Sequence, residues 1–154
     1  MNACRRFVRT AAVPMLVVLV LTAPGQIANA GGRTHRFRNE MFGLVNQTRS
    51  AHGLRSLRLN AHLSREAWRH SVAMGRRFLL FHTSSTDMWN FLQPYDARTW
   101  GENVAYAGTL RRVEQLWMQS YEHRVNLLNP AFRNAAVGVV RAKGWLWVTL
   151  QLYG

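Results

Sequence analysis

The spacing of apolar and polar positions changes character three times along the chain. Ala11 through Leu21 is apolar at every position except Pro14. This run is eleven residues long, against about 20 for a helix that spans a bilayer. From Asn39 the pattern becomes helical. Met41, Leu44, Val45 and Thr48 share one face, with Asn39 as N-cap and Gly53 as the stop. Leu54, Leu57 and Leu59 then pin an irregular connection. Asn60 caps a second predicted helix whose inner face reads Leu63, Ala67, Ser71 and Met74.

Residues 82–100 show neither period and read as a long folded loop, a kind of segment that is more often functional than the elements it joins. A third helix is predicted from Thr109, with Leu110, Val113, Leu116 and Trp117 at helical spacing. The segment after it ends before Asn129-Pro130, because proline disfavours helix in the residue that precedes it. The period then falls to two in Ala136–Ala142 and again in Trp145–Tyr153, on either side of Lys143-Gly144, which reads as a hairpin turn. Helices early and strands late predict an α+β layered domain rather than a doubly wound one.

The N-terminal run becomes informative through its flanks. Arg5, Arg6 and Arg9 precede it, and Ala28-Asn29-Ala30-Gly31 follows Pro24-Gly25. A basic start, a short apolar core and an A-x-A end make up a secretory signal. Residues 1–30 are therefore expected to be an export signal cleaved after Ala30, and 31–38 a loose basic lead-in to a domain over 39–154. An uncleaved N-terminal membrane anchor is the alternative. The full chain has 154 residues, 20 Lys plus Arg against 7 Asp plus Glu, and a formal charge of +13. Without residues 1–30 the charge is +10, from 17 basic and 7 acidic residues, and the only cysteine, Cys4, is gone. That excludes a disulfide framework and a zinc site built on several thiolates. An excess of arginine, with Lys143 the sole lysine, points to an anionic neighbour. For an exported chain with no nucleic-acid module, that neighbour is an envelope polymer or lipid rather than a specific nucleic acid. A monomer is expected.

Candidate chemistry is dispersed along the chain. It comprises His82 in Phe81-His82-Thr83, then Gly101-Glu102-Asn103, then Ser120 and His123 in Trp117-x-x-Ser120-x-x-His123-Arg124-x-Asn126. Together with Gly138-Val139, a closing Gln151-x-Tyr153-Gly154, Asn46, Arg49 and Leu57, and Leu63, Ala67, His70 and Met74, these residues resemble a bacterial CAP (SCP-like) domain. That superfamily includes cysteine-rich secretory proteins, venom antigens and plant pathogenesis-related proteins. The resemblance runs from about Met41 to Gly154. It implies a three-layer α-β-α sandwich with a cleft where two histidines and two acids converge in many members. Carried to this chain, those positions are His82, Glu102, Ser120 and His123. Ser120 departs from the glutamate of animal and plant relatives, although many small bacterial relatives also have serine. Glu122 replaces the glycine that bacterial members favour before the histidine, and Leu150 stands where threonine is common before the final glutamine.

Two imidazoles and a carboxylate suit a divalent metal such as zinc, with His82 and His123 as ligands. The same residues equally suit a hydrogen-bonded network tying the 82–102 segment to the third helix. Ser120 and His123, three apart, with Glu102 behind the imidazole, sketch a hydrolytic triad, but no nucleophile elbow or oxyanion-hole segment accompanies them. His62, Glu66 and His70 form an i, i+4, i+8 stripe. It lacks the H-E-x-x-H order and has Arg65 and Arg69 beside it, so it reads as a solvated ion-pair face. Trp117 reads as core. Trp145 and Trp147 share a sheet face that packs under a helix or offers a ligand platform, and Trp89, Phe91 and Tyr95 are placed to rim a cavity. The expected function is binding of an envelope or host-derived ligand, whether lipid, sterol or wall polymer. The alternative is a metal- or Ser-dependent hydrolase of peptide, peptidoglycan or lipid ester.

Overall fold

The hairpin around Lys143-Gly144 forms the middle of the sheet. The computed structural model describes residues 25–154, with side chains from Gly32 onward. The expected export signal lies, through Pro24, outside the described residues. In chain order the elements are α1 (Gly25–Ala51), β1 (Arg58–Leu59), α2 (Leu63–Arg77), α3 (Ser85–Leu92), β2 (Trp100–Ala107), α4 (Leu110–Gln119), α5 (Tyr121–Leu127), β3 (Asn134–Ala142) and β4 (Trp145–Tyr153). The four strands form one sheet in the order β1-β3-β4-β2. β4 pairs antiparallel with both β3 and β2, and β1 pairs parallel with β3 at two positions. Lys143 and Gly144 have φ of 49° and 83°. These are the two positive angles of a two-residue turn whose twist matches the strands it joins.

Strand alternation assigns the layers. Ala135, Val137 and Val139 of β3 and Leu146, Val148, Leu150 and Leu152 of β4 join one core with Met41 and Val45 of α1, Val113 and Trp117 of α4, and Leu127 of α5. Each fully buried side chain of this kind contributes about 1.5–3 kcal/mol. The intervening positions face α2 and α3. Ala136 and Tyr153 pack with Leu63, Ala67, Met88 and Leu92, and Val104 and Trp147 pack with Met74. Helices cover both faces, giving the α-β-α sandwich. At Gly138 the backbone of α2 is so close that a Cβ would lie 2.1 Å from the Ala67 carbonyl.

Three expectations are corrected. The first helix does not wait for Asn39, and residues 31–38, expected to be loose, lie within α1. Phe37, one turn before Met41, extends the apolar stripe onto the same core. Residues 82–100 are not a long loop, because most of them form α3 and a 3₁₀ turn at Gln93–Tyr95. Ser84 caps α3 by accepting from the Asp87 amide at 3.1 Å and donating to Asp87 Oδ2 at 2.7 Å. Met88 and Leu92, one turn apart, anchor it. Finally, the irregular connection after Gly53 contains β1.

Candidate functional site

Glu102 lies on β2 directly across from Gln151 on β4, both on the sheet face covered by α2. The segment between α2 and α3 folds over this pair. One carboxylate oxygen of Glu102 accepts from the Thr83 amide at 2.8 Å and lies 2.9 Å from His82 Nδ1. The other accepts from the Thr83 hydroxyl at 2.6 Å and from Gln151 Nε2 at 3.2 Å. The carboxylate is buried and its acceptor capacity is largely taken up by these four partners, while the His82 ring is more than half exposed.

α2 contributes a residue that the sequence pattern assigned elsewhere. His70 does not share a solvated stripe with His62 and Glu66. His62 Nδ1 is paired with the Tyr95 hydroxyl at 3.1 Å, and Glu66 pairs with Arg69 at 2.6 Å. His70 turns inward, with Nδ1 3.2 Å from Thr149 Oγ1 and its ring edge-on to Phe81 at 4.9 Å. Thr149 also bonds Ser71 at 2.9 Å. The clue in the sequence was that His70 follows Ala67 by three and precedes Met74 by four, which is the inner face of the helix. Burial lowers the His70 pKa below the usual imidazole range; the Glu102 charge opposes this and His82 adds to it. The Nε2 of His70 is buried without a hydrogen-bond partner among the described residues.

α5 reaches the site around the free edge of β2. Asn103 Nδ2 donates to the His123 carbonyl at 2.9 Å, and Asn126 Nδ2 donates to Asn103 Oδ1 at 2.9 Å and to the Glu102 carbonyl at 3.4 Å. Gly101 makes room for this, since a Cβ there would meet Asn126 Oδ1 at 2.7 Å. The Gly-Glu-Asn and His-Arg-x-Asn motifs therefore clasp each other, and Arg124 Nη1 ties the clasp to the Met118 carbonyl at the end of α4. The half-buried His123 ring has a lowered pKa, first from burial and then from the nearby His82, with Glu122 acting the other way. His82 thus contacts Glu102, and His123 and His70 both lie near enough to His82 for its charge to lower their pKa.

Ser120 does not complete a triad. The helix breaks there, with ψ of 129°, so that α4 ends and α5 begins at the next residue. Among the described residues no hydrogen bond joins Ser120 to His123; Ser120 is the N-cap of α5, its carbonyl accepting from the Arg124 amide at 2.9 Å. The donor set also fits a metal centre poorly. Glu102 is committed to four partners, serine stands at the second acid position, and no group of three or more His, Cys, Asp or Glu among the described residues is placed to hold an ion. The imidazoles of His70, His82 and His123 remain.

Beside His70 and His82 lies a groove of about 340 Å³ lined by Arg69, Phe81, Asp87 and Phe91. Trp117 and Trp147 are fully buried, the latter against Gly75 of α2, whereas Trp89 and Trp145 are exposed. Among the described residues no helix is long and apolar enough to cross a membrane.

The profile of the cysteine-rich secretory protein family, CAP, matches residues 42–152. The uncharacterized protein YkwD of Bacillus subtilis is 32% identical over 127 residues, covering 77% of this chain and 47% of that protein. The chain thus spans about half the length of that relative. An extracellular protein from Bacillus anthracis with an SCP domain superposes with a TM-score of 0.70 at 25% identity, over 92% of this chain and 45% of that one. A cysteine-rich secretory protein of Staphylococcus aureus superposes with a TM-score of 0.65 at 21% identity, over 78% of this chain and 39% of that one.

Proposed function

The chain belongs to the cysteine-rich secretory protein family, CAP, and on that premise we propose that it is an exported binding domain. Its ligand is an envelope or host-derived lipid, sterol or wall polymer, held in the groove beside His70 and His82. The observation that carries this reading is the state of Glu102. A general base needs a lone pair aimed at its substrate, and a metal ligand needs one aimed at the ion. Glu102 instead fastens the 82–83 segment to β2 and β4, which shapes one wall of the groove. The groove combines Phe81 and Phe91 with the polar edges of His70, His82 and Arg69. Apolar walls with a few convergent polar groups are typical of ligand sites. The extracellular relative supports export, as does the basic, apolar, A-x-A pattern of residues 1–30.

The test uses the full chain with the probes oleate, cholesterol, phosphatidylglycerol and solubilised peptidoglycan, followed by calorimetry, alongside peptide, peptidoglycan and lipid-ester hydrolysis assays. The expected result is saturable binding of one probe that weakens at least tenfold in Phe91→Ala, with no turnover. Turnover that disappears in His82→Ala or His123→Ala would overturn the binding reading in favour of a hydrolase.

A further inference from the structure

The end of α2 and the β3–β4 turn build a second surface, which borders the groove where the Arg77 guanidinium lies 5.3 Å over the Phe81 ring. Phe78, Leu79 and Leu80 are 45%, 59% and 41% exposed, and Trp145 is 42% exposed. Aromatic contacts make them one patch. The Phe78 ring lies 5.3 Å from Trp147 and 5.9 Å from Tyr106, and Tyr106 lies 5.6 Å from Trp145. Phe78 closes α2 in the left-handed region, with φ of 53°. Glycine is preferred there because a side chain is strained, and glycine makes the same amide bond to the Met74 carbonyl. The turn does not call for phenylalanine, so its ring is the feature to be explained.

The rim of the patch is cationic. Arg76 and Arg77 precede Phe78, and Lys143 Nζ sits 5.3 Å over its ring. No Asp or Glu occurs between Glu66 and Asp87, and none follows Glu122, so neither contributing segment carries a carboxylate. Contiguous exposed apolar side chains inside such a rim mark an interaction surface.

We propose that this patch docks the protein on an anionic lipid bilayer. Phe78, Leu79, Leu80 and Trp145 enter the boundary between headgroups and acyl chains, and Arg76, Arg77 and Lys143 meet the lipid phosphates. A soluble anionic polymer would satisfy the cations but leave the leucines in water, whereas a bilayer surface takes both at once. Tryptophan suits that boundary because one end of its ring system is apolar and the other polar. The proposal goes beyond the groove ligand and does not depend on it.

The experiment is co-sedimentation of the full chain with vesicles of phosphatidylcholine alone or mixed with phosphatidylglycerol. It compares the unaltered chain with Leu79→Ser/Leu80→Ser/Trp145→Ser, with Arg76→Gln/Arg77→Gln/Lys143→Gln, and with Gln115→Ala, an exposed α4 position outside both the patch and the groove. All share residues 1–30, so differences read the patch alone, and circular dichroism confirms that each variant is folded. Phosphatidylglycerol vesicles are expected to bind the chain in a salt-sensitive way. The charge variant should lose about a hundredfold in partitioning and the apolar variant about tenfold or more, with Gln115→Ala unchanged. Equal partitioning of the unaltered chain and the apolar variant would overturn the proposal. So would equal binding to both vesicle types, or a self-association that the apolar variant abolishes while vesicle binding is absent.

Discussion

Glu102 accepts twice from Thr83 and once each from Gln151 and His82. Glu102→Ala leaves the Thr83 donors and the buried Gln151 amide without their acceptor, at about 1–3 kcal/mol for each group left unsatisfied, while the exposed His82 ring can turn to water. The expected loss is about 3 kcal/mol in urea unfolding, whatever happens to ligand binding. His70 and His123 give a pH signature. Burial lowers both pKa values in the fold, so the unfolded chain binds more protons below its own imidazole pKa of about 6.5. Stability is therefore complete above that value and declines as the pH falls below it. Melting scans should show this decline, and His70→Gln should make it shallower; a flat profile would contradict the assignment. At this scale the sequence was legible for His82, Glu102 and His123, each of which sits in a short motif. At Ser120 residue spacing cannot reveal that α4 stops and α5 begins. His70 was hidden by His62 and Glu66, whose spacing suggested a surface stripe.

α2 lies on β3 with nothing but backbone between Ala67 and Gly138, so Gly138→Ala must push helix and strand apart. Overpacking costs about 1–3 kcal/mol and occasionally more. Rigid backbone on both sides puts this substitution at the upper end, with a correspondingly lower midpoint in denaturant. Arg49 ties elements together differently. Its guanidinium is buried and donates to the carbonyls of Arg55, Leu127, Asn129 and Phe132, joining α1 to the turn between α5 and β3. Arg49→Met removes the guanidinium donors from all four carbonyls, of which, among the described residues, Asn129 alone keeps a bond, from the Phe132 amide at 3.4 Å, and is expected to lose about 3 kcal/mol in the same measurement. The elements that were legible, α4 and the hairpin, have a clean period, and the hairpin has an explicit turn at Lys143-Gly144. β2 was not, because Glu102 and Asn103 place polar side chains where alternation expects apolar ones, one on each face. α3 was not, because eight residues beginning with Ser, Thr and Asp resemble a turn until Met88 and Leu92 have a surface to pack on. β1, at two residues, has no period to read.

The charge of the molecule is poorly compensated. Among the described residues the ion pairs are Glu66–Arg69 and the His82–Glu102 contact, against a formal charge of +13 on the full chain. Repulsion among arginines works against the compact state and is screened over about 10 Å at 0.1 M salt. Raising salt from a few millimolar to 0.3 M is therefore expected to raise the melting temperature by about 2–4 °C, as followed by scanning fluorimetry. A fall would mean that attractive pairs dominate. The order of the strands has a temporal consequence as well. β4 lies between β3 and β2 and follows both in sequence. A chain delivered amino end first holds β2 without a neighbour, and β3 with only the two residues of β1, until residues 145–153 arrive. Closing contacts of such long sequence separation is slow. Synthesis therefore leaves an interval in which the polypeptide is still a thread, and the sheet locks only once residues 145–153 are free to pair with both β2 and β3.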